Sequence, residues 1–348
     1  MTRRPFLRRA LAIATALMTA AAAPATFAQS RVTLRYSNWL PPTHVLHHNV
    51  IKPWIEEVSQ VTQGRVKIEV LPKVVGSVPT QFDVVRDGLA DLSFVIHGYT
   101  PGRFRGHELL ELPFLGSDAE ALGAAAWRIH HKHLKELNEF AGTVPLAIFT
   151  QGPAALFTTP GPIESIEQFK GLKLRVGGPA QIPLMNVIGA VAIQRPVSQL
   201  YEVMSTGVVD GAVLGREAVK NFNLGRTIRH GLLLPGGFSN LGQSIVVNER
   251  AWNRISAADR EAIMRISGEA LSRRFGAQFE SMDRAGIEDV IAHGGKVTQA
   301  NPKLVEDLRQ AFKIADDAWF DKAKAAGLKD PQKVLADFRN EVATLQSK

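Results

Sequence analysis

Apolar positions along the first two thirds of the chain switch repeatedly between two spacings. "VTLRY" (32–36), "RVKIEVLP" (65–72), "LADLSFVI" (89–96) and "VPLAIFTQG" (144–152) alternate or run apolar over short lengths, as strands do. Between them lie stretches of helical spacing. Leu46, Val50, Ile51, Trp54, Ile55 and Val58 share one face, with Pro53 placed to kink that helix or delay its start. "PTQFDVVRDG" (79–88) reads as a short helix stopped at Gly88, and 118–140 as a longer one capped by Asp118. Residues 97–115, "HGYTPGRFRGHELLELPFL", read as a long irregular connection.

The pattern then restarts. Strands at "AALFTT", "LKLRV", "AVAIQ" and "VVDGAVL" are separated by helical stretches at "SIEQFKG", "PAQIPLMNVIG" and "VSQLYEVMSTG". Alternation of this kind predicts an α/β fold whose sheets are largely parallel and flanked by helices on both faces. From Ser256 the chain turns mostly helical. Ser256 and Asp259 resemble a capping box opening an amphipathic run to about Ile291, and two further helices are expected at 303–325 and 331–345. One short plan occurs twice. "VVRDGLADLSFV" (84–95) and "VMSTGVVDGAVL" (203–214) each join a helix end, a glycine, two apolar residues, an aspartate and a strand. Either two lobes are built alike, with Gly88 and Gly207 in left-handed helix stops, or the plan is a common helix–strand junction.

Length and composition narrow the class. A chain of 348 residues, 45% apolar, is long enough for two cores. Residues 1–28 read as a secretory signal: a basic start, an alanine-rich apolar run and small residues before the cleavage point. Arg3 and Arg4 followed by Phe6 and Leu7 also resemble a twin-arginine export signal, so either export route is open. Four arginines and no acid lie in that leader, which lowers the formal net charge from +8 to +4 for the mature chain. The remaining charges are scattered, so no nucleic-acid surface is expected. There is no cysteine, hence no disulfide framework and no thiolate site.

Enzyme signatures are missing: there is no GxSxG elbow, Walker loop, GxGxxG or HExxH. His44, His47 and His48 cluster, as do His130, His131 and His133, but no third metal ligand is indicated and no metal or cofactor is expected. The feature that asks for an explanation is Arg175, in "KGLKLRVGG" (170–178). It interrupts the apolar strand just before Gly177 and Gly178. A guanidinium is costly to bury unpaired. From the residues alone, a structural ion pair and a clamp for a ligand carboxylate both remain open.

Several stretches, in order, resemble the extracytoplasmic solute-binding proteins of tripartite ATP-independent periplasmic (TRAP) transporters. They are "NWLPPTH", "VTQGRVKIEVLP", "VRDGLADLSF", "TPGRF" with "ELPFL", "FKGLKLRV", "VSQLYEVMSTGVVDGA" and "IVVNERAWNRIS", spanning residues 31 to about 345. The resemblance implies two α/β lobes, a hinge of crossing segments, a long C-terminal helical region and closure over a ligand. The lobes would be 31–152 with about 240–283, and 153–239 with about 284–348. It implies a monomer in the periplasm that hands a small-molecule carboxylate to membrane permease subunits. Arg175 matches the arginine that pairs with the substrate carboxylate in that family.

Two stretches depart from the family pattern. Leu214 and Gly215 stand where many members carry a polar group, and Ala155 stands where sialate-type members carry an arginine. A cleft of this kind would favour a smaller or partly apolar monocarboxylate, such as a keto or aromatic acid. By position at strand ends, the other candidate binding residues are Asn38, Trp39, His44, His97, Tyr99, Gln151, Arg216, Ser239 and Asn240. Arg216 reads more naturally as part of a surface ion pair. The competing readings are an exported enzyme, whose base would have to be His44 or His97, and a ligand-binding protein that feeds a sensor.

Overall fold

The structure, a computed structural model, describes residues 31–346. The leader assigned to residues 1–28 lies outside the described residues. The strands are β1 (Val32–Ser37), β2 (Val66–Val70), β3 (Leu92–Ile96), β4 (Thr143–Thr150), β5 (Ala155–Thr158), β6 (Lys173–Val176), β7 (Val191–Gln194), β8 (Gly211–Leu214), β9 (His230–Leu233), β10 (Gly242–Asn248) and β11 (Lys296–Gln299). They form a five-stranded sheet in the order β2-β1-β3-β10-β4 and a six-stranded sheet in the order β11-β9-β5-β8-β6-β7.

Both sheets are mixed. The parallel pairs expected from helix–strand alternation are present in β1 with β2 and β3, and in β6 with β7 and β8. One strand in each sheet, β10 and β5, runs antiparallel to its neighbours. The cause is the crossing of the chain. From β4 it passes through Gln151–Ala154 directly into the second sheet, and it returns from β9 to β10 into the first. A direct return needs no helix, so these strands enter against the grain.

Burial follows the pattern of each strand. In β1, Val32, Leu34 and Tyr36 face the core while Thr33 and Arg35 face water. All residues of β3 and of β10 are buried, as suits strands covered on both faces. Pro53 does not delay the helix: the chain is already helical before it, and a π turn at His47–Ile51 leads without a break into the α-helix Lys52–Val61, with the proline in its first turn. The helix expected over 118–140 opens as predicted, the Asp118 carboxylate accepting from the Ala121 N–H at 2.8 Å. It is α-helical only over Ala119–Ile129, then loosens into a π turn and tightens to a stop at Asn138 in the left-handed region. The run from Ser256 divides at Gly268, whose φ of +58° separates helix Ala257–Ile266 from the 25-residue helix Gly268–Ala292. The run expected over 303–325 likewise divides, into helices Pro302–Ala311 and Lys313–Ala325.

The repeated plan is a repeated structure. Gly88 and Gly207 both adopt positive φ, +79° and +70°. Asp91 exchanges backbone contacts with Arg35 on β1 and accepts the Arg35 N–H at 2.8 Å; Asp210 does the same for Lys173 on β6, also at 2.8 Å. In each lobe the aspartate ties the start of one parallel strand to its neighbour.

Helix Gly268–Ala292 spans both halves. It lies along helix Ala119–Ile129 and β4 at one end and against β11 and helix Ala218–Asn221 at the other. Two glycines set its distance. A Cβ at Gly276 would run into the Ala119 carbonyl oxygen, and one at Gly286 into the carbonyl oxygen of Arg216. Alanine is normally the better helix former by about 1 kcal/mol. Gly286→Ala should nonetheless lower stability by about 1–3 kcal/mol through overpacking. Urea unfolding measures this, with Gly161→Ala, where a Cβ meets nothing within 4 Å, as the control that should shift little.

Candidate functional site

The C-terminal ends of β1, β3, β4, β6 and β8 meet around one small cavity of about 30 Å³. Ligands of open α/β sheets sit beyond strand C-termini, so the location is the expected one. Trp39 and Phe94 form one wall, their rings stacked with centroids 5.4 Å apart and the indole N–H donating to the Phe94 carbonyl at 2.7 Å. Leu214, Phe222, Leu241 and Phe279 complete an apolar lining. Behind Phe94 the rings of Phe149 and Phe275 stack in turn and stiffen that wall.

Arg175 is only partly held. It lies on β6 between Ile193 of β7 and Ala212 of β8 and is 1% exposed. Its Nε donates to the Arg195 carbonyl at 2.8 Å, and one terminal nitrogen lies 3.5 Å from the Tyr99 hydroxyl. That hydroxyl also accepts the Val197 N–H at 2.8 Å. Among the described residues no carboxylate ion-pairs with Arg175. Burial works against its charge, but a guanidinium stays protonated in proteins. The structural ion pair left open by the sequence is therefore not made.

The other predicted residues divide. Trp39, His44, Tyr99 and Gln151 line the cavity with Arg175. His44 is buried and neutral: burial lowers it to about 4, and its Nδ1 accepts from the Leu46 N–H at 3.2 Å. Five residues do not reach the cavity. Asn38 folds its amide back on Leu40. His97 stacks on Phe104 at 4.2 Å and contacts the Ser244 hydroxyl at 3.2 Å, inside a buried cluster with Phe140 and His107. Arg216 ion-pairs with buried Asp283 at 2.5 Å. Ser239 is bonded to Gln181 at 2.5 Å, and Asn240, with its nitrogen turned toward them, donates to the Gly152 and Gln151 carbonyls at 2.9 and 3.1 Å. Those two brace the crossing segments.

Sequence reasoning missed two polar residues of the lining, Glu217 and Gln243. Each has a buried side-chain oxygen without a hydrogen-bond partner, Oε2 of Glu217 and Oε1 of Gln243. Glu217 stands one position past the arginine picked at the same strand end, which was the available signal. Gln243 stands on β10, a strand the periodicity did not reveal. Among the described residues no three histidine or acidic side chains are grouped to hold a metal.

Comparison with known proteins places this architecture. The profile described as bacterial extracellular solute-binding protein, family 7, matches residues 36–322. The chain belongs to this family. A TRAP periplasmic solute-binding protein from Bordetella bronchiseptica, solved with bound (R)- and (S)-mandelate, is 38% identical, with a TM-score of 0.86 over 90% of this chain and 99% of that one. A TRAP solute-binding protein from Rhodoferax ferrireducens, in complex with copurified benzoate, is 26% identical, with a TM-score of 0.85 over 91% and 99%. The protein named outer membrane transporter protein TsaT, of Comamonas testosteroni, is 28% identical over 335 residues, 95% of this chain and 97% of that one. The two-lobed fold predicted from the sequence is thus the family's fold. Family 7 proteins are solute-binding proteins, and no helix among the described residues is long and apolar enough to cross a membrane.

In this family 7 chain the two halves touch beside the cavity. A Cβ on Gly98, after β3, would lie 3.0 Å from the Gly178 Cα, after β6, and one on Gly178 would lie 2.7 Å from Glu111 Oε2. Burial raises the Glu111 carboxyl to about 8, with the nearby charge of Glu108 adding to it and Lys322 opposing it. The folded protein keeps this proton where the unfolded chain has lost it. Stability should therefore fall as pH rises from the usual 4.5 through about 8. Glu111→Gln should escape that loss, so that its melting temperature gains on the wild type across this range by more than about 2 °C. A constant difference from pH 5 to pH 9 would contradict the assignment.

Proposed function

We propose that this chain is the periplasmic receptor of a TRAP transporter for an aromatic monocarboxylate. It is exported by its leader, closes two lobes over the acid, and hands it unchanged to the membrane permease subunits. The lobes are 31–152 with about 240–283 and 153–239 with about 284–348. The observation that carries the reading is Arg175: a buried guanidinium at the lobe junction, with donors to spare and no carboxylate of its own. A planar guanidinium offers a carboxylate two parallel charge-assisted bonds, and Tyr99 is within reach to assist. Trp39, Phe94 and Leu214 supply a flat apolar wall suited to a ring rather than to a polyhydroxylated chain. The mandelate and benzoate bound by the two similar proteins are acids of this kind.

A cavity of about 30 Å³ holds little more than water, whereas a dry site of about 150 Å³ is known to accept benzene. Entry of the acid therefore requires the walls to part. Closure then follows because a ligand touching both lobes favours the shut state by that difference in contact. Chemistry on the ligand is not part of this reading. Of the two histidines expected as the base of an enzyme, His97 lies outside the cavity, and His44 is neutral with one ring nitrogen already engaged.

Two measurements test the proposal. In a thermal-shift panel, benzoate and mandelate should raise the melting temperature, since bound ligand stabilises by mass action. Succinate and sugar acids should leave it unchanged; the reverse pattern overturns the aromatic assignment. By calorimetry, Arg175→Ala should lose at least about 100-fold in benzoate affinity, from two bonds of roughly 1.5–3 kcal/mol each. Arg175→Lys should also bind weakly, because an ammonium cannot form the fork. Near-normal affinity in either variant would refute the clamp.

A further inference from the structure

Glu217 shares the cavity with Arg175, and a carboxylate clamp gives it nothing to do. The residue is 7% exposed, and its Oε2 has no hydrogen-bond partner. Its place is fixed from behind. Its backbone N–H donates to Asp283 Oδ1 at 2.9 Å, while Arg216 occupies the other oxygen of the same carboxylate. Asp283 belongs to helix Gly268–Ala292, whose Gly286 lies directly against the Arg216 carbonyl. The backbone at 216–217 is thus braced on two sides, and the Glu217 side chain points away from that brace into the cavity.

Its neighbours are arranged around it. A Cβ at Gly215 would sit 3.0 Å from the Gln151 side-chain oxygen and 3.0 Å from Glu217 Oε1, so the glycine leaves room for both polar ends. Gln243 brings a second unpartnered oxygen to the same lining. Glu217 and Arg175 feel each other's charge but make no ion pair. Burial, and after it the nearby Asp283 carboxylate, hold the Glu217 carboxyl well above the usual range, with the Arg175 guanidinium opposing them. A neutral carboxyl carries both an O–H donor and acceptor oxygens. It complements an uncharged oxygen on a ligand. A second ligand carboxylate would instead bring another negative charge near Asp283.

We propose that Glu217, with Gln151 and Gln243 beside it, selects for an aromatic acid that bears a hydroxyl or carbonyl group besides its carboxylate. The selection rests on the reading of Arg175 as the carboxylate clamp: the acid is anchored at Arg175, and its second oxygen pairs with Glu217. A ligand without that oxygen leaves Oε2 of Glu217 and Oε1 of Gln243 unpaired in a buried site, which is how polar pockets reject analogues lacking a hydrogen-bonding group.

Calorimetry with defined acids tests this. The probes are benzoate, mandelate, the three hydroxybenzoates and the three methylbenzoates, a methyl being close to a hydroxyl in size. The best hydroxylated acid should bind the wild type at least about tenfold tighter than benzoate and than its methyl counterpart, from one satisfied polar pair. Glu217→Met should bring the hydroxyl-to-methyl ratio to within about twofold of one, and Glu217→Gln, which keeps a donor and an acceptor, should retain most of it. A wild type that does not distinguish hydroxyl from methyl overturns the inference without any variant, should Glu217→Met fail to fold. So does a preference that survives in Glu217→Met. If benzoate binding ignores Arg175→Ala, the clamp itself has failed. If it needs Arg175 while the hydroxyl preference ignores Glu217, only this inference has.

Discussion

The structure turns on a positive charge placed out of water without a negative partner among the described residues. Burying a guanidinium is tolerated where hydrogen bonds hold it and an anion can complete it. Here one donor is fixed by the Arg195 carbonyl, and the Tyr99 hydroxyl stands at the edge of bonding range. The remaining capacity faces the gap between two lobes. In the function proposed above, an organic anion completes it when both lobes are against the ligand, which would make closure and recognition one event.

The rest of the fold keeps that charge in position. β6 carries Arg175 and is held between two parallel neighbours, its start tied down by Asp210. Tyr99 comes from the other lobe, where Asp91 performs the same service for β1. Helix Gly268–Ala292 then fixes the spacing of the halves, through glycines that admit backbone carbonyls at Ala119 and Arg216. The contact of Gly98 with Gly178 closes the junction beside the buried Glu111. Each of these places uses a residue whose smallness or single polar atom is needed for the approach.

Much of this was legible from the sequence, and for a reason. Half-buried strands and amphipathic helices leave periodic traces, so β1, β2 and the helix around Pro53 could be read directly. The echo between 84–95 and 203–214 was equally open to a bland reading until the two aspartates were seen to make the same bonds. What stayed hidden is what periodicity does not encode. β10 is buried along its whole length and mixes Gln243 and Ser244 with Ile245 and Val246, so it shows no alternation. The crossing of the chain reverses β5 and β10, a matter of topology rather than local pattern. In the site, strand-end positions found Arg175, Trp39, His44, Tyr99 and Gln151. At the end of β8 the reading stopped one residue short: Arg216 turns back to Asp283, and Glu217 faces the cavity. Ser239 and Asn240, though at a strand approach, are consumed in bracing the crossing segments.

A crystal structure of this protein grown with benzoate examines the central claim most directly. The account predicts both carboxylate oxygens within about 3 Å of the Arg175 guanidinium nitrogens, with the ring against Trp39 and Phe94. Benzoate seated elsewhere, with Arg175 still bonded only to the Arg195 carbonyl and Tyr99, would contradict it.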